Sequence, residues 1–367
     1  MNGIAAPRTV GIRPILITGG AGFIGSNLAD RLAADGEHVL IFDALLRPGV
    51  ERNLVWLKQR HPRQISAVQE DIRNGDAVAR AARSASAVFH LAGQVAVTTS
   101  MLDPRQDFDV NVAGTVTLLE ALRRRKPPVP LVFASTNKVY GGLADVALER
   151  TNIAYAPQST QFAAHGIPEA HPLDFHTPYG CSKGAADQYV LDYARSFGVP
   201  TAVMRMSCIY GPRQMGTEDQ GWVAHFLIRA LADEPIGIFG DGLQVRDILY
   251  VSDAVEAYVA ALRRIDAIGG RAYNLGGGPA NAVSLVQLIA HIEALLDRHV
   301  EVAFHDWRAG DQRYYVSDSR RVREDLDLPM PVPWRKGVAR LMRWLREERA
   351  PAALAHAAES PSAAVPA

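Results

Sequence analysis

The sequence predicts an α/β chain: a doubly wound parallel sheet followed by a smaller C-terminal cap. Three observations carry this expectation. Short, continuously apolar runs alternate with longer helical patterns through the N-terminal half. The first run opens onto closely spaced glycines. From Ile209 onward the pattern becomes less regular and richer in glycine. Strands that are apolar on both faces belong to a sheet covered by helices on both sides.

Residues 14–18 (Pro-Ile-Leu-Ile-Thr) form the first expected strand, and a helix follows from Gly25 to Ala34. Residues 39–43 form the second strand, which ends in Asp43. Further strands are expected at 65–69, 87–91, 131–134 and 201–204. Two long helices are expected at 108–125 and 181–197, covering the sheet. By analogy of fold, such a pair also builds a homodimer through a four-helix bundle. Residues 141–177 form a long polar excursion containing Pro157, Gly166, Pro168 and Pro172. Its length and its place before Tyr179 predict a flap near the active site.

The expected domains follow. Residues 10–204 form the nucleotide-binding domain, with 246–275 returning to it. Residues 205–245 and 276–348 form the substrate-binding cap. Residues 349–367, rich in Ala, Pro and Ser, form a disordered tail. No internal repeat interrupts this order.

Composition narrows the function. The 367 residues carry 39 Lys+Arg against 39 Asp+Glu, so no basic excess points to nucleic acid. A hydrophobic share of 48% supplies a sizeable core. The two cysteines, Cys181 and Cys208, are not at metal-site spacing and suit a reducing cytoplasm. Met1 to Thr9 lacks the apolar core of a signal peptide, and no run approaches the roughly 18 apolar residues of a membrane span. A cytoplasmic protein with no membrane partner is expected.

The glycine turn reads Thr18-Gly19-Gly20-Ala21-Gly22-Phe23-Ile24-Gly25. Gly19, Gly22 and Gly25 let the backbone come close to a pyrophosphate, and the helix start offers free N–H groups and a positive dipole end. Asp43 lies 18 residues beyond Gly25, where a carboxylate can bond both ribose hydroxyls. The pattern is that of a Rossmann-type dinucleotide site. The acid would repel a 2′-phosphate and so favours NAD, although Arg47 leaves NADP open. Asp71 and Ile72 follow the third strand beside the expected adenine. Leu91, Ala92 and Gly93 follow the fourth, where small residues let backbone pass the cofactor. Phe23 and Ile24 complete the candidate contacts.

Pro178-Tyr179-Gly180-Cys181-Ser182-Lys183 supplies the expected chemistry. Tyr179 and Lys183 are four apart and share one helix face. A phenol near pKa 10 is a poor base at neutral pH. A nearby ammonium and an oxidised nicotinamide would both lower that value, so Tyr179 is expected as the base and Lys183 as its partner. Lys183 can also bond the nicotinamide ribose. A hydroxyl at the exit of the 131–134 strand can bind the reacting oxygen; Thr136 is the candidate, with Ser135 packing or bonding backbone.

These residues resemble the extended short-chain dehydrogenase/reductase family over roughly 13–345. The stretches 93–100, 135–141, 173–189, 214–222 and 244–247 are similar to the CDP-paratose 2-epimerases, also called CDP-tyvelose epimerases. The resemblance implies NAD-dependent inversion at C2 of a nucleotide-linked sugar through a transient ketone, with NAD retained between turnovers. Sugar 4,6-dehydratases of the superfamily need an added acid and base after the threonine. Here Asn137-Lys138 stands there, and an amide cannot act as an acid. Within enzymes the alternative is a nucleotide-sugar 4-epimerase or 4,6-dehydratase; outside them it is a dinucleotide-sensing protein without turnover, against which the retained Tyr179 and Lys183 speak.

The resemblance also implies Arg246 as a clamp on the diphosphate, with Arg308 a second candidate and Arg213 behind them; each could instead pair with a local acid such as Asp247 or Asp311. Asn137 and Lys138 are candidate substrate contacts, Lys138 otherwise being a solvated surface lysine. Many relatives carry asparagine where this chain has Cys208, so that contact is altered or supplied by Ser207. His165, His171 and His176 lack a supporting ligand pattern, and no metal is expected. Gly276-Gly277-Gly278 reads as a plain loop into a helix capped near Ser284.

Overall fold

The computed structural model describes residues 13–308 and 310–359, with side chains through 348. The first residues of the expected N-terminal domain lie outside these, as does the end of the expected tail. Seven parallel strands form the central sheet: β1 (Ile15–Thr18), β2 (Val39–Asp43), β3 (Ile65–Gln69), β4 (Ala87–His90), β5 (Leu131–Thr136), β6 (Thr201–Met206) and β7 (Arg271–Leu275). Their spatial order is β7-β6-β5-β4-β1-β2-β3. β5 and β6 each run two residues past the apolar run that predicts them, because Ser135, Thr136 and Arg205 are buried polar groups within the ladder.

The two-residue period distributes these strands over two cores. Leu16, Val88, Leu131, Phe133 and Val203 enter one. Ile17, Phe89, Val132, Met204 and Tyr273 enter the other. β1 pairs with β2 on one side and β4 on the other, so the strand order reverses there. A crevice opens at the carboxyl ends on that line.

The helix expected at 108–125 begins earlier. Asp103 caps it by accepting from Gln106 N, and Pro104 occupies its first turn. It runs through Pro104–Phe108, a π-helical turn Asp109–Ala113 and Gly114–Arg123. The second long helix is Thr177–Phe197, closed by Gly198 at φ 65°.

The cap packs helices Trp222–Leu231, Leu285–Leu296 and the start of Trp334–Glu359 around Phe226, Leu227, Ile238, Leu288 and Leu341. Ser284 and Gln287 form a reciprocal capping box at the helix foreseen there. Strand Val245–Tyr250 lies in the cap's sheet, parallel to Cys208–Tyr210 and antiparallel to Ala282–Ser284. Leu249 near the end of this strand already enters the main core, and helix Val251–Arg263 continues in it. Helix Arg320–Leu326, expected in the cap, packs on the main core through Val322 and Leu326. The last helix continues to Glu359, into the segment expected as a disordered tail.

The excursion 141–177 is folded, not a polar flap. It holds a hairpin, Leu148–Arg150 with Tyr155–Pro157, and a short helix, Thr160–His165. Leu143, Val146 and Ile167 are buried with Tyr140 and Tyr315. Tyr155 N donates to Leu243 O at 2.9 Å, and Ile167 bridges to Ser317. The segment ties the sheet domain to the cap. A second tie is Arg213, whose guanidinium lies 4.1 Å from the Trp56 ring centroid and 5.5 Å from that of Trp344, with Glu348 at 3.3 Å. Among the described residues no helix is long and apolar enough to cross a membrane.

Candidate active site

A cavity of about 1220 Å³ runs from the glycine turn, across the carboxyl ends of β1, β4 and β5, to the cap loops. Every expected cofactor residue lines it: Gly19, Gly22, Phe23, Ile24 and Gly25 at one end, Asp43, Asp71 and Ile72 beside them, and Leu91, Ala92 and Gly93 opposite. No residue between 139 and 178 does, which removes the excursion from the site.

Local structure explains this arrangement. Gly19 has φ 70°, and a Cβ on it would stand 2.7 Å from Ala92 N. Gly22 caps helix Phe23–Ala34 without any side-chain hydrogen bond, so the first N–H groups face the cavity uncapped. Asp43 Oδ2 accepts from Ala21 N at 3.0 Å and Oδ1 from Leu45 N at 2.9 Å. Burial raises the Asp43 pKa above the ordinary carboxylate value, against these N–H donors. Asp71 is paired with Arg73 at 2.7 Å, which holds its pKa low. Thr18 Oγ1 meets His90 Nδ1 at 2.7 Å and accepts from Ala92 N at 3.3 Å, fixing the turn after β4. Burial, helped by the Lys183 charge, lowers His90 to about 3 and keeps it neutral. Thr98 Oγ1 and Asn53 Oδ1 are buried on the cavity wall without partners. The uncapped helix start, the two orphaned oxygens and the Asp43 carboxylate suit a dinucleotide with a pyrophosphate and ribose hydroxyls.

Tyr179, Lys183 and Thr136 come together on this wall. Tyr179 and Lys183 are buried in the first turns of helix Thr177–Phe197, and the Thr136 side chain lies beside the Tyr179 hydroxyl. Tyr179 N donates to Ser100 Oγ at 3.2 Å, which anchors the helix start. Ser135 Oγ turns away to Asp187 Oδ2 at 2.7 Å, a side-chain bond where packing or backbone bonding was expected.

The electrostatics depart from the expectation. Burial pushes the Tyr179 phenol up to about 12; the Thr136 bond opposes this and Asp107 adds to it. The Lys183 ammonium donates to Ala134 O at 2.6 Å and lies 4.3 Å from the Phe133 ring centroid. Burial lowers Lys183 itself to about 8, against the pull of Asp187 and Asp107. A phenolate at neutral pH therefore needs a positive charge brought in beside it, which an oxidised nicotinamide carries.

Asn111 and Asp107 lie behind this wall, bonded to Ser182, and were missed. Asn111, in the π-helical turn, accepts from Gln94 N at 3.0 Å and donates to Gln94 O at 3.1 Å and Ser182 Oγ at 3.0 Å. Sequence spacing gave no signal for them, because their partners lie after β4 and on helix Thr177–Phe197.

The substrate candidates line the cap side. Asn137 Oδ1 accepts from Thr136 Oγ1, and its amide donates to Gln312 Oε1, both at 3.3 Å. Lys138 is not a solvated surface lysine: it donates to Gly310 O at 3.2 Å, and burial, with Arg246 adding, lowers it to about 8. Arg246 donates to Asp311 Oδ1 at 2.8 Å and Gln312 O at 2.5 Å, rather than pairing with Asp247. Arg308 bonds Glu218 Oε1 at 2.8 Å and stacks 3.7 Å from the Phe239 ring centroid. Ser207 Oγ is taken up by Asp247 Oδ1 at 2.5 Å, while burial pushes the Cys208 thiol up. His171 and His176 lie beside Asp145 and Asp174, away from the cavity. Gly278 N donates to Asp247 Oδ2 at 3.0 Å, so the triple-glycine loop braces a buried acid.

The model of the NAD dependent epimerase/dehydratase family matches residues 15–276. The CDP-paratose 2-epimerase of Salmonella typhi is 41% identical over 337 residues, 90% of this chain and 98% of that protein. A UDP-glucose 4-epimerase of Mycolicibacterium smegmatis is 34% identical, over 91% and 98% of the two chains. Among solved structures, the UDP-glucuronic acid 4-epimerase of Bacillus cereus, in complex with UDP-glucuronic acid and NAD, superposes with a TM-score of 0.78 at 27% identity, covering 91% of this chain and 99% of that one.

Proposed function

The chain belongs to the NAD-dependent epimerase/dehydratase family, and from that premise we propose that it inverts C2 of a nucleotide-linked hexose of the CDP-paratose/CDP-tyvelose type. NAD is the coenzyme of this family. Its proposed contacts are Gly19, Gly22, Phe23, Ile24, Gly25, Asp43, Asp71, Ile72, Leu91, Ala92 and Gly93. Bound there, it supplies a hydride acceptor and donor for one sugar carbon.

The residues supply the rest. Tyr179 takes the proton of the C2 hydroxyl, and Thr136 holds the reacting oxygen beside it. Arg246, Arg308 and Lys138 grip the diphosphate while the keto-sugar presents its other face. Tyr179 then returns the proton. Asn137, Ser207 and Cys208 border the sugar.

The observation that carries this reading is the buried Tyr179 phenol on the cavity wall with Thr136 beside it, and with Asn137 and Lys138 next in line where dehydration would need an acid. The 41% identity to an enzyme named for C2 epimerisation supports the choice of carbon. Exposed Phe108, Tyr189 and Phe197 on the two long helices support a homodimer through that face, and the composition supports a cytoplasmic setting.

The test is a panel of CDP-, UDP-, GDP- and dTDP-linked hexoses incubated without added coenzyme and read by proton NMR. The expected product is the C2 epimer, with preference for a CDP-linked 3,6-dideoxyhexose. Inversion at C4, or loss of the C6 hydroxyl, would overturn the assignment.

A further inference from the structure

Asp107 is a fully buried carboxylate whose direct partners are all neutral. Ser182 Oγ donates to Oδ2, and Asn111 Nδ2 donates to Oδ1 at 3.3 Å. A buried carboxylate is strongly disfavoured unless an opposite charge offsets it. Lys183, one residue past Ser182, is the complementary case: a buried ammonium whose near contacts are a carbonyl and an aromatic ring. The other carboxylate close to it, Asp187, is already matched by two bonds at 3.0 Å from Arg205. Around Ser182, Asp107 and Lys183 are thus two opposite buried charges, neither of which has a charged group among its direct hydrogen-bond partners.

We propose that Asp107 is the counter-ion of Lys183, a positioning residue that keeps the lysine charged and sets the pH range in which Tyr179 exchanges its proton. This rests on the reading of Tyr179 as the proton carrier. The groups facing Asp107 leave it no other partner. Helix Thr177–Phe197 presents Tyr179 and Lys183. Helix Val97–Leu102 carries no charged residue. His90, at the end of β4, is held by Thr18 and Thr115 and is neutral. On its own helix, Arg105 pairs with Asp109 at 3.0 Å on the solvent side. On Gly114–Arg123, Glu120 binds Arg123 and Tyr193. The signs agree: the Asp107 charge raises the proton affinity of both Tyr179 and Lys183, and at Asp107, whose pKa burial raises, Lys183 acts in the opposing direction beside Ser182 and Asn111.

Asp107→Asn keeps the shape and an acceptor for Ser182 while removing the charge. In the NAD-loaded protein, both limbs of the pH–kcat profile should move down by roughly 1 unit. Tyrosinate difference absorbance, with Tyr179→Phe as blank, and 15N-lysine NMR of Lys183 should move the same way. Asp107→Glu, which retains the charge, should leave the limbs in place even if the rate falls. Asp107→Ser is the second neutral variant, with the same expected direction. A profile lowered in height with unmoved limbs, and unmoved titrations of Lys183 and Tyr179, would overturn the counter-ion role. Turnover persisting in Tyr179→Phe would instead overturn the reading of Tyr179.

Discussion

On the sheet side of the cavity, Tyr179 and Lys183 are seated by neutral groups, Ser100 Oγ at the Tyr179 N–H and Ala134 O at the Lys183 ammonium. On the cap side, Arg246 and Arg308 are held by carboxylates of the same chain, Asp311 and Glu218. The proton-handling wall is built ahead of any ligand. The cap wall is built around carboxylates that, on the proposed function, a diphosphate would have to displace. Oriented groups of the first kind act in the chemical step, whereas groups of the second kind set how much binding free energy remains after displacement.

That contrast predicts where kinetic effects fall. Tyr179→Phe should lower kcat by about 10³-fold while bound NAD, measured by release on denaturation, stays unchanged. Retained turnover would collapse the distinction at its strongest point. Arg246→Ala should raise KM for the nucleotide sugar about 10- to 100-fold with a smaller change in kcat. An equal loss in kcat would move Arg246 to the chemical side.

Lys138 gives the contrast a pH signature. Burial lowers its pKa from the ordinary 10.5 to about 8, so the ammonium is present below that pH and lost as pH rises through it. Affinity for a nucleoside diphosphate, read by calorimetry, should fall about 3- to 10-fold between pH 7 and pH 9, and Lys138→Met should flatten that slope. The smallest effect has the opposite sign. Asp311→Asn should free Arg246 and lower KM about 2- to 3-fold. A rise in KM would mean that Asp311 orders the arginine more than it competes for it.

The sheet side was the more legible half from sequence. Strand patterns place β1 to β6 to within a residue or two, and the glycine spacing, Asp43, Tyr179 and Lys183 are local signals. Asp107, Asn111 and Gln312 were not legible, because each acts on residues far away in the chain: Ser182 lies 71 positions beyond Asn111, and Gln312 lies 175 beyond Asn137. The excursion 141–177 misled for a related reason. Its prolines and glycines outweighed Leu143, Val146 and Ile167, which follow neither helical nor strand spacing yet anchor it in a core shared with Tyr315. Four-residue spacing fixes which face Lys183 shares with Tyr179, but not where its ammonium ends, which is at Ala134 O.

The guanidinium of Arg213 between the rings of Trp56 and Trp344 gives the protein an optical gauge. One indole belongs to a helix flanking the sheet and the other to the final helix, so a shift across that seam changes the surroundings of both fluorophores. Emission from these two tryptophans, with Arg213→Met as the reference, should therefore register ligand-driven rearrangement without any added dye.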